Sequence, residues 1–290
     1  MADHNTLKGV LLQVASGVAF CVMSALIKTA SGIDSFKTSF FRFVIGLTLL
    51  GTAALFGKID LKFVHGPFLF LRGLFGGVAV YLFFLSIAEL GVAKGTVISY
   101  SYPIFAALLG AMFLKERIGV VRGLALLAAF GGILLLMKGK GGGLASFVSF
   151  GVYDGLALLG AVLSGVAVFF VKKLHQTDTT YAIFFAQCVI GVWLVVVPAN
   201  VVPCQIGISG GVLLLGIGIA ATIGQLLMTE GYRYQSVTVG SLLGMLVPVL
   251  NCLVGSVFFR EPFPPSAMVG SVIVIVACGI VSIEGGNRQR

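Results

Sequence analysis

Apolar residues along this chain neither alternate at a strand period nor keep to one helical stripe. They form long runs separated by short polar breaks. A run of ~20 apolar residues is what a helix needs to cross a bilayer, and a helix satisfies its own backbone groups there. The pattern predicts ten spans, near Gly9–Ile27, Phe36–Phe56, Phe68–Ala88, Val92–Leu114, Gly119–Met137, Tyr153–Val171, Thr180–Pro198, Ser209–Met228, Val237–Phe259 and Ser266–Ile283. The breaks carry turn or charge signals, such as Lys58-Ile59-Asp60, Lys115-Glu116-Arg117, Lys172-Lys173 and Glu261-Pro262-Phe263-Pro264-Pro265. The first run follows Asp3, His4 and Lys8 and lacks a small-residue cleavage site, so it reads as a retained helix. The expected fold is an all-α integral membrane protein.

Composition sharpens this picture. The chain is 58% hydrophobic and 10% charged, against about 25% charged in soluble domains. Its 290 residues leave only short connections between ten spans and no room for a sizeable soluble domain. The net charge of +9 does not point to nucleic acid, because Lys and Arg sit at the ends of apolar runs, where they meet a membrane surface. Twelve of the 19 Lys and Arg, among them Lys8, Arg72, Lys115, Lys172 and Arg233, fall on one set of span ends. The positive-inside bias then favours both termini in the cytoplasm. Cys21, Cys188, Cys252 and Cys278 lie inside apolar runs and read as small packing residues, leaving Cys204 as the exposed thiol.

The second half echoes the first at an offset near 145, half of 290. Ser16-Gly17-Val18-Ala19 recurs as Ser164-Gly165-Val166-Ala167, and Asp34 with Phe40-Phe41 as Asp178 with Phe184-Phe185. Gly95, Pro103, Gly110, Phe113, Lys115 and Glu116 recur as Gly240, Pro248, Gly255, Phe258, Arg260 and Glu261. Residues 1–143 and 144–290 thus read as two five-span repeats. Five is odd, so the second copy enters the membrane from the opposite side. Such inverted repeats place a substrate site near the midplane between the halves, in a central cavity.

Gly95-Thr96-Val97-Ile98-Ser99-Tyr100-Ser101-Tyr102-Pro103 followed by Phe113-Leu114-Lys115-Glu116, and its copy from Gly240 to Pro248 followed by Phe258-Phe259-Arg260-Glu261, resemble the signature of the EamA-type transporters of the drug/metabolite transporter superfamily. Phe41-Arg42-Phe43 and Leu71-Arg72-Gly73 also fit. The resemblance implies a cavity lined by the first four helices of each half, with the fifth and tenth helices outside. It also implies a small-molecule substrate: an amino acid, S-adenosylmethionine, a vitamin or another small metabolite, moved by uptake or export across the inner or plasma membrane.

Polar side chains inside a span need a partner or a wet cavity. Arg42 lies about two turns inside the second span, and Gln187 is its repeat mate in the seventh. Arg42 either attracts a carboxylate or phosphate or snorkels outward. Gln187 either bonds substrate or a neighbouring carbonyl. Gln13, Ser16, Phe20 and Ser24 share one face of the first helix, suited equally to cavity lining and helix contact. Ser99, Tyr102, Ala106 and Gly110 share a face of the fourth, matched by Gly244, Val247, Asn251 and Gly255 on the ninth. Tyr81 in the third span and Gln225 in the eighth complete the candidates. Pro103 and Pro248 each remove a helix hydrogen bond at matched places, as hinges or static kinks. Glu230 reads as a proton site or as an interfacial carboxylate paired with Arg233. The Gly73/Gly77, Gly91/Gly95 and Gly240/Gly244 pairs read as close helix crossings, with a homodimer as an alternative use.

Catalytic signals are missing. His4, His65 and His175 lie near span ends, and neither HExxH nor a GxxxxGK[ST] loop occurs. Nothing calls for a cofactor or a metal. The reading is a secondary carrier working by alternating access. A channel-like facilitator and a membrane enzyme on lipid-linked substrates are the rivals.

Overall fold

The computed structural model describes residues 2–30, 32–116, 118–138, 151–201 and 206–287. Cys204, Arg117 and the stretch 139–143 fall outside them, as do the side chains of His4 and Glu284. The described residues form α1 (Ala2–Thr29), α2 (Ser35–Leu55), α3 (Gly66–Ser99), α4 (Tyr102–Phe113), α5 (Val120–Lys138), α6 (Val152–Leu174), α7 (Thr180–Val201), α8 (Ile208–Tyr234), α9 (Val237–Gly244), α10 (Leu246–Phe259) and α11 (Pro265–Asn287). They supply 10 segments long and apolar enough to cross a membrane. The chain is an all-α, multi-pass membrane protein.

Two predicted spans are not single helices. The fourth consists of Lys94–Ser99 followed by α4, and the ninth of α9 followed by α10. Each break precedes a proline: Pro103 in the first turn of α4 and Pro248 in the first turn of α10. Proline has no N–H to donate and its ring excludes the carbonyl four residues back, so the helix restarts there. The third and fourth spans are joined within α3 by a turn at Gly91, whose φ of 79° suits a residue without Cβ. This corrects the reading of Gly91/Gly95 as a helix crossing. Gly91 has open space around it, and Gly95 lies against the Ser86 carbonyl of the same hairpin. The other two pairs do serve close approach within the chain. Gly73 and Gly77 receive Ile190 and Leu194 of α7, while Gly240 and Gly244 receive Tyr232 and Tyr102.

The repeat positions share local geometry as well as residue type. Lys115 (φ 55°) and Arg260 (φ 53°) are the non-glycine residues with left-handed backbone among those described. Beyond each, Glu116 N–H and Glu261 N–H donate to the carbonyls of Gly110 and Gly255 at 3.1 Å. Each bond closes a seven-residue loop around the left-handed residue, one residue wider than a Schellman closure, and satisfies a carbonyl of the helix's last turns.

Helix pairing across the halves follows a pattern. α1 packs on α8 as α6 packs on α3; α10 packs on α1 as α4 packs on α6; α2 packs on α8 as α7 packs on α3. The remaining major pairings join matched spans: α2 with α7, α4 with α9, and α5 with α11. In the last pair the backbones touch, since a Cβ on Gly132 would lie 2.8 Å from the Gly270 carbonyl. Leu124, Leu127, Val269 and Val272 on these two helices are exposed, as lipid-facing residues are.

Candidate substrate-binding site

Arg42 comes about two turns into α2, and Arg72 about two turns into α3. Both are buried, at 9% and 3% exposure. Arg72 Nη2 donates to Gln187 Oε1 at 2.9 Å. Its Nε and Nη1 find no acceptor, and neither does Arg42 Nε. The two guanidinium groups feel each other's charge, and both act on the Cys188 thiol of α7. Among the described residues no carboxylate pairs with either arginine. Gly76, one turn beyond Arg72, provides the room: a Cβ there would collide with Nη1 and come within 3.2 Å of Gln187 Nε2.

A polar seam continues from this pair. Tyr232 of α8 is fully buried and lies in the field of Arg72. It stands beside Tyr102 and Gln13 without a well-aligned hydrogen bond from its hydroxyl to either. Gln13 Nε2 donates to the Gly240 carbonyl at 2.8 Å, leaving Oε1 free. Tyr102 Oη donates to the Ser241 carbonyl at 3.3 Å. Gln225 is buried with its Nε2 unpartnered. Helices α1, α2, α3, α4, α7, α8 and α9 contribute to this seam, whereas α5 and α11 do not. A buried polar group without a partner is costly, and among the described residues this seam holds several.

Other sequence candidates fall elsewhere. Ser16 Oγ donates to the Gly224 carbonyl at 2.7 Å, which joins α1 to α8, and Ser24 Oγ donates back to Phe20 of its own helix. Tyr81 lies against Phe36 with ring centroids 5.3 Å apart, in an apolar cluster with Phe43 and Phe184. Ser99 is half-buried at the end of α3, and Asn251 half-buried in α10 with Oδ1 unpartnered. Glu230 accepts from Thr180 Oγ1 and lies 3.6 Å from Arg233, the arrangement of an interfacial carboxylate. Among the described residues no group of His, Cys, Asp or Glu is placed to hold a metal ion.

Sequence reasoning did not place Arg72 among the binding candidates; it used the residue as an orientation cation and, in Leu71-Arg72-Gly73, as part of the family resemblance. The signal was present in His65-Gly66-Pro67. Proline favours the first turn of a helix, and counting from it puts Arg72 inside the span rather than at its edge. Tyr232 was missed because the eighth helix continues to Tyr234, past the predicted end.

Ten spanning segments around a buried polar seam, with two broken helices at matched places, define a membrane transporter. The chain belongs to the EamA-like transporter family, whose model matches residues 7–138 and again 152–283. It is 30% identical over 275 residues to the pseudopaline exporter of Pseudomonas aeruginosa, covering 93% of this chain and 94% of that protein. It is 29% identical over 277 residues to the S-adenosylmethionine uptake transporter of Rickettsia bellii, covering 92% and 89%. A solved crystal structure shares the fold with a TM-score of 0.80 at 16% identity, over 97% of this chain and 99% of that one.

Proposed function

We propose that this protein is a secondary carrier that moves a small polar or amphipathic metabolite by alternating access. In this reading residues 1–143 and 144–290 are two five-span repeats of opposite orientation, with both termini in the cytoplasm, in the inner or plasma membrane. The observation that carries it is the closed polar seam between the halves: Arg42 and Arg72 from the first meet Gln187 and Cys188 from the second. Support also comes from the helix pairings, which map onto one another when the halves are exchanged. Such a scaffold reaches a second state by giving each half the other's shape, and access to the seam then passes from one side to the other. Arg42, Gln187, Gln225, Gln13 and Tyr102 line the path. The broken helices before Pro103 and Pro248 are the hinges. A seam buried to this degree suits a carrier better than an open pore.

Purified protein in liposomes, loaded in turn with amino acids, vitamins, nucleoside-like solutes and organic acids, tests this reading. We expect saturable uptake that is accelerated by the same solute on the far side. Trans-stimulation separates a carrier from a channel-like facilitator. No saturable flux of any solute would count against transport.

A further inference from the structure

We propose that the transported solute is an organic anion bearing two negative charges, as two carboxylates or a phosphate monoester, held between Arg42 and Arg72. The proposal rests on the carrier reading and adds the charge class of the cargo. Two guanidinium groups sit nine-tenths or more buried inside spanning helices. Charge at that depth is expensive and is kept where a partner of opposite sign arrives. Among the described residues no carboxylate pairs with either group. The buried acids at other places are engaged, Asp154 with Lys94 and Asp178 with the Val64 and His65 amides.

The free hydrogen-bonding capacity at the pair is donor capacity. Arg42 Nε, Arg72 Nε and Arg72 Nη1 lack acceptors. Gln187 turns its carbonyl oxygen to Arg72 Nη2, which orients the guanidinium and leaves its buried Nε and Nη1 without an acceptor. A guanidinium fork matches the paired oxygens of a carboxylate or phosphate. Gly76 keeps Cβ bulk away from Arg72 Nη1, and Gly46 does so beside Cys188, where a Cβ would come within 3.0 Å of Sγ. The same field repels a cation, so a net-positive solute such as S-adenosylmethionine is excluded from this pocket.

The test is binding to full-length protein in lipid nanodiscs, read by calorimetry and by the shift in melting temperature. The probes are succinate, citrate, glycerol 3-phosphate, the neutral vitamin riboflavin and cationic S-adenosylmethionine. At least one of the three anions should bind, and the one that does assigns carboxylate or phosphate chemistry. Arg42→Gln and Arg72→Gln should each weaken it at least tenfold and flatten its salt dependence, while Lys28→Gln leaves it unchanged. Should a Gln variant give no melting transition, Arg42→Lys or Arg72→Lys carries the test, with anion selectivity kept and affinity reduced. The proposal is overturned if no anion binds, if riboflavin or S-adenosylmethionine binds tighter than all three, or if the arginine variants bind the anion like the wild type. Counterflow of a neutral or cationic solute would remove this inference and leave the carrier. Anion binding with no counterflow of any solute would remove the carrier reading, and with it the role of the anion as cargo, leaving an anion-binding site between the arginines.

Discussion

At one end of the bundle Glu116 follows the left-handed Lys115; at the other Glu261 follows the left-handed Arg260. The backbone closes identically at both, yet the carboxylates do different work. Glu116 reaches across to α9, where Oε1 accepts from Val237 N at 2.8 Å and Oε2 from Thr238 N and Oγ1 at 3.4 and 3.3 Å. It caps a helix of the other half with a charge that suits the helix N-terminus. Around it Lys172 Nζ donates to the carbonyls of Tyr232 and Arg233, and His175 Nε2 donates to the Thr229 carbonyl at 2.6 Å. Glu261 instead pairs with Lys28 at the end of α1, and both side chains are substantially exposed. The difference teaches that a repeated sequence motif sets the local turn, while the neighbour across the gap sets how firmly that end is latched. The Glu116 end is held by part-buried bonds to backbone, which salt screens far less. The Glu261 end includes an exposed ion pair, which salt does screen.

The largest expected effect comes from Glu116→Ala. It strands the amides of Val237 and Thr238 in a buried setting, and a stranded buried donor costs roughly 1–3 kcal/mol. The melting temperature in detergent should fall clearly and equally at low and high salt; an unchanged value would show that Glu116 does not cap α9. Next comes pH. Burial pushes the His175 imidazole below its usual 6.5, against the opposing pull of its bond to the Thr229 carbonyl and the charge of Glu230. The unfolded chain therefore takes up this proton first, so stability is complete above 6.5 and declines as pH falls through 6.5 towards the folded value. Melting curves across that range should show the decline, and His175→Gln should flatten it.

Lys28→Gln should cost under about 1 kcal/mol at low salt, as exposed pairs do. The cost should vanish at high salt, and a loss that salt does not touch would break the contrast between the ends. Smallest is the effect of Lys115→Gly and Arg260→Gly. Each relieves a left-handed backbone and adds unfolded-state freedom, for a net gain of about 0.5 kcal/mol. The gains should match, because the local geometry does; a large difference would mean that the two caps are alike in shape only.

Much of the fold was legible in the chain. The run lengths located the spans, and Pro103, Pro248 and the Lys/Arg-Glu pairs marked matched places that adopt matched geometry. Glycine spacing was less informative. Gly73/Gly77 is a crossing and Gly91/Gly95 a hairpin turn, because i and i+4 spacing says that two residues share a face, not whether a helix continues between them. The site was half legible. Arg42, Gln187, Gln13 and Tyr102 were marked as expensive polar residues in apolar runs, whereas Arg72 was counted with the span-end cations and Tyr232 lay beyond the predicted end of the eighth span. Ser16 carried the same signal as Gln13 and turned out to bond the carbonyl of α8 across a helix contact.

The sequence by itself determined that this is an all-helical membrane protein, how many times it crosses and roughly where each crossing lies. Partition into hydrocarbon is a property of each residue summed over a short window, and the backbone has no other way to satisfy itself there. Only the tertiary structure decided that Arg72 meets Gln187, with Arg42 and Cys188 near enough for charge to act between them. That depends on the rotation and offset of α2, α3 and α7, which follow from contacts such as Ile190 and Leu194 seating on Gly73 and Gly77. Those contacts join residues more than a hundred positions apart, beyond the reach of any local pattern.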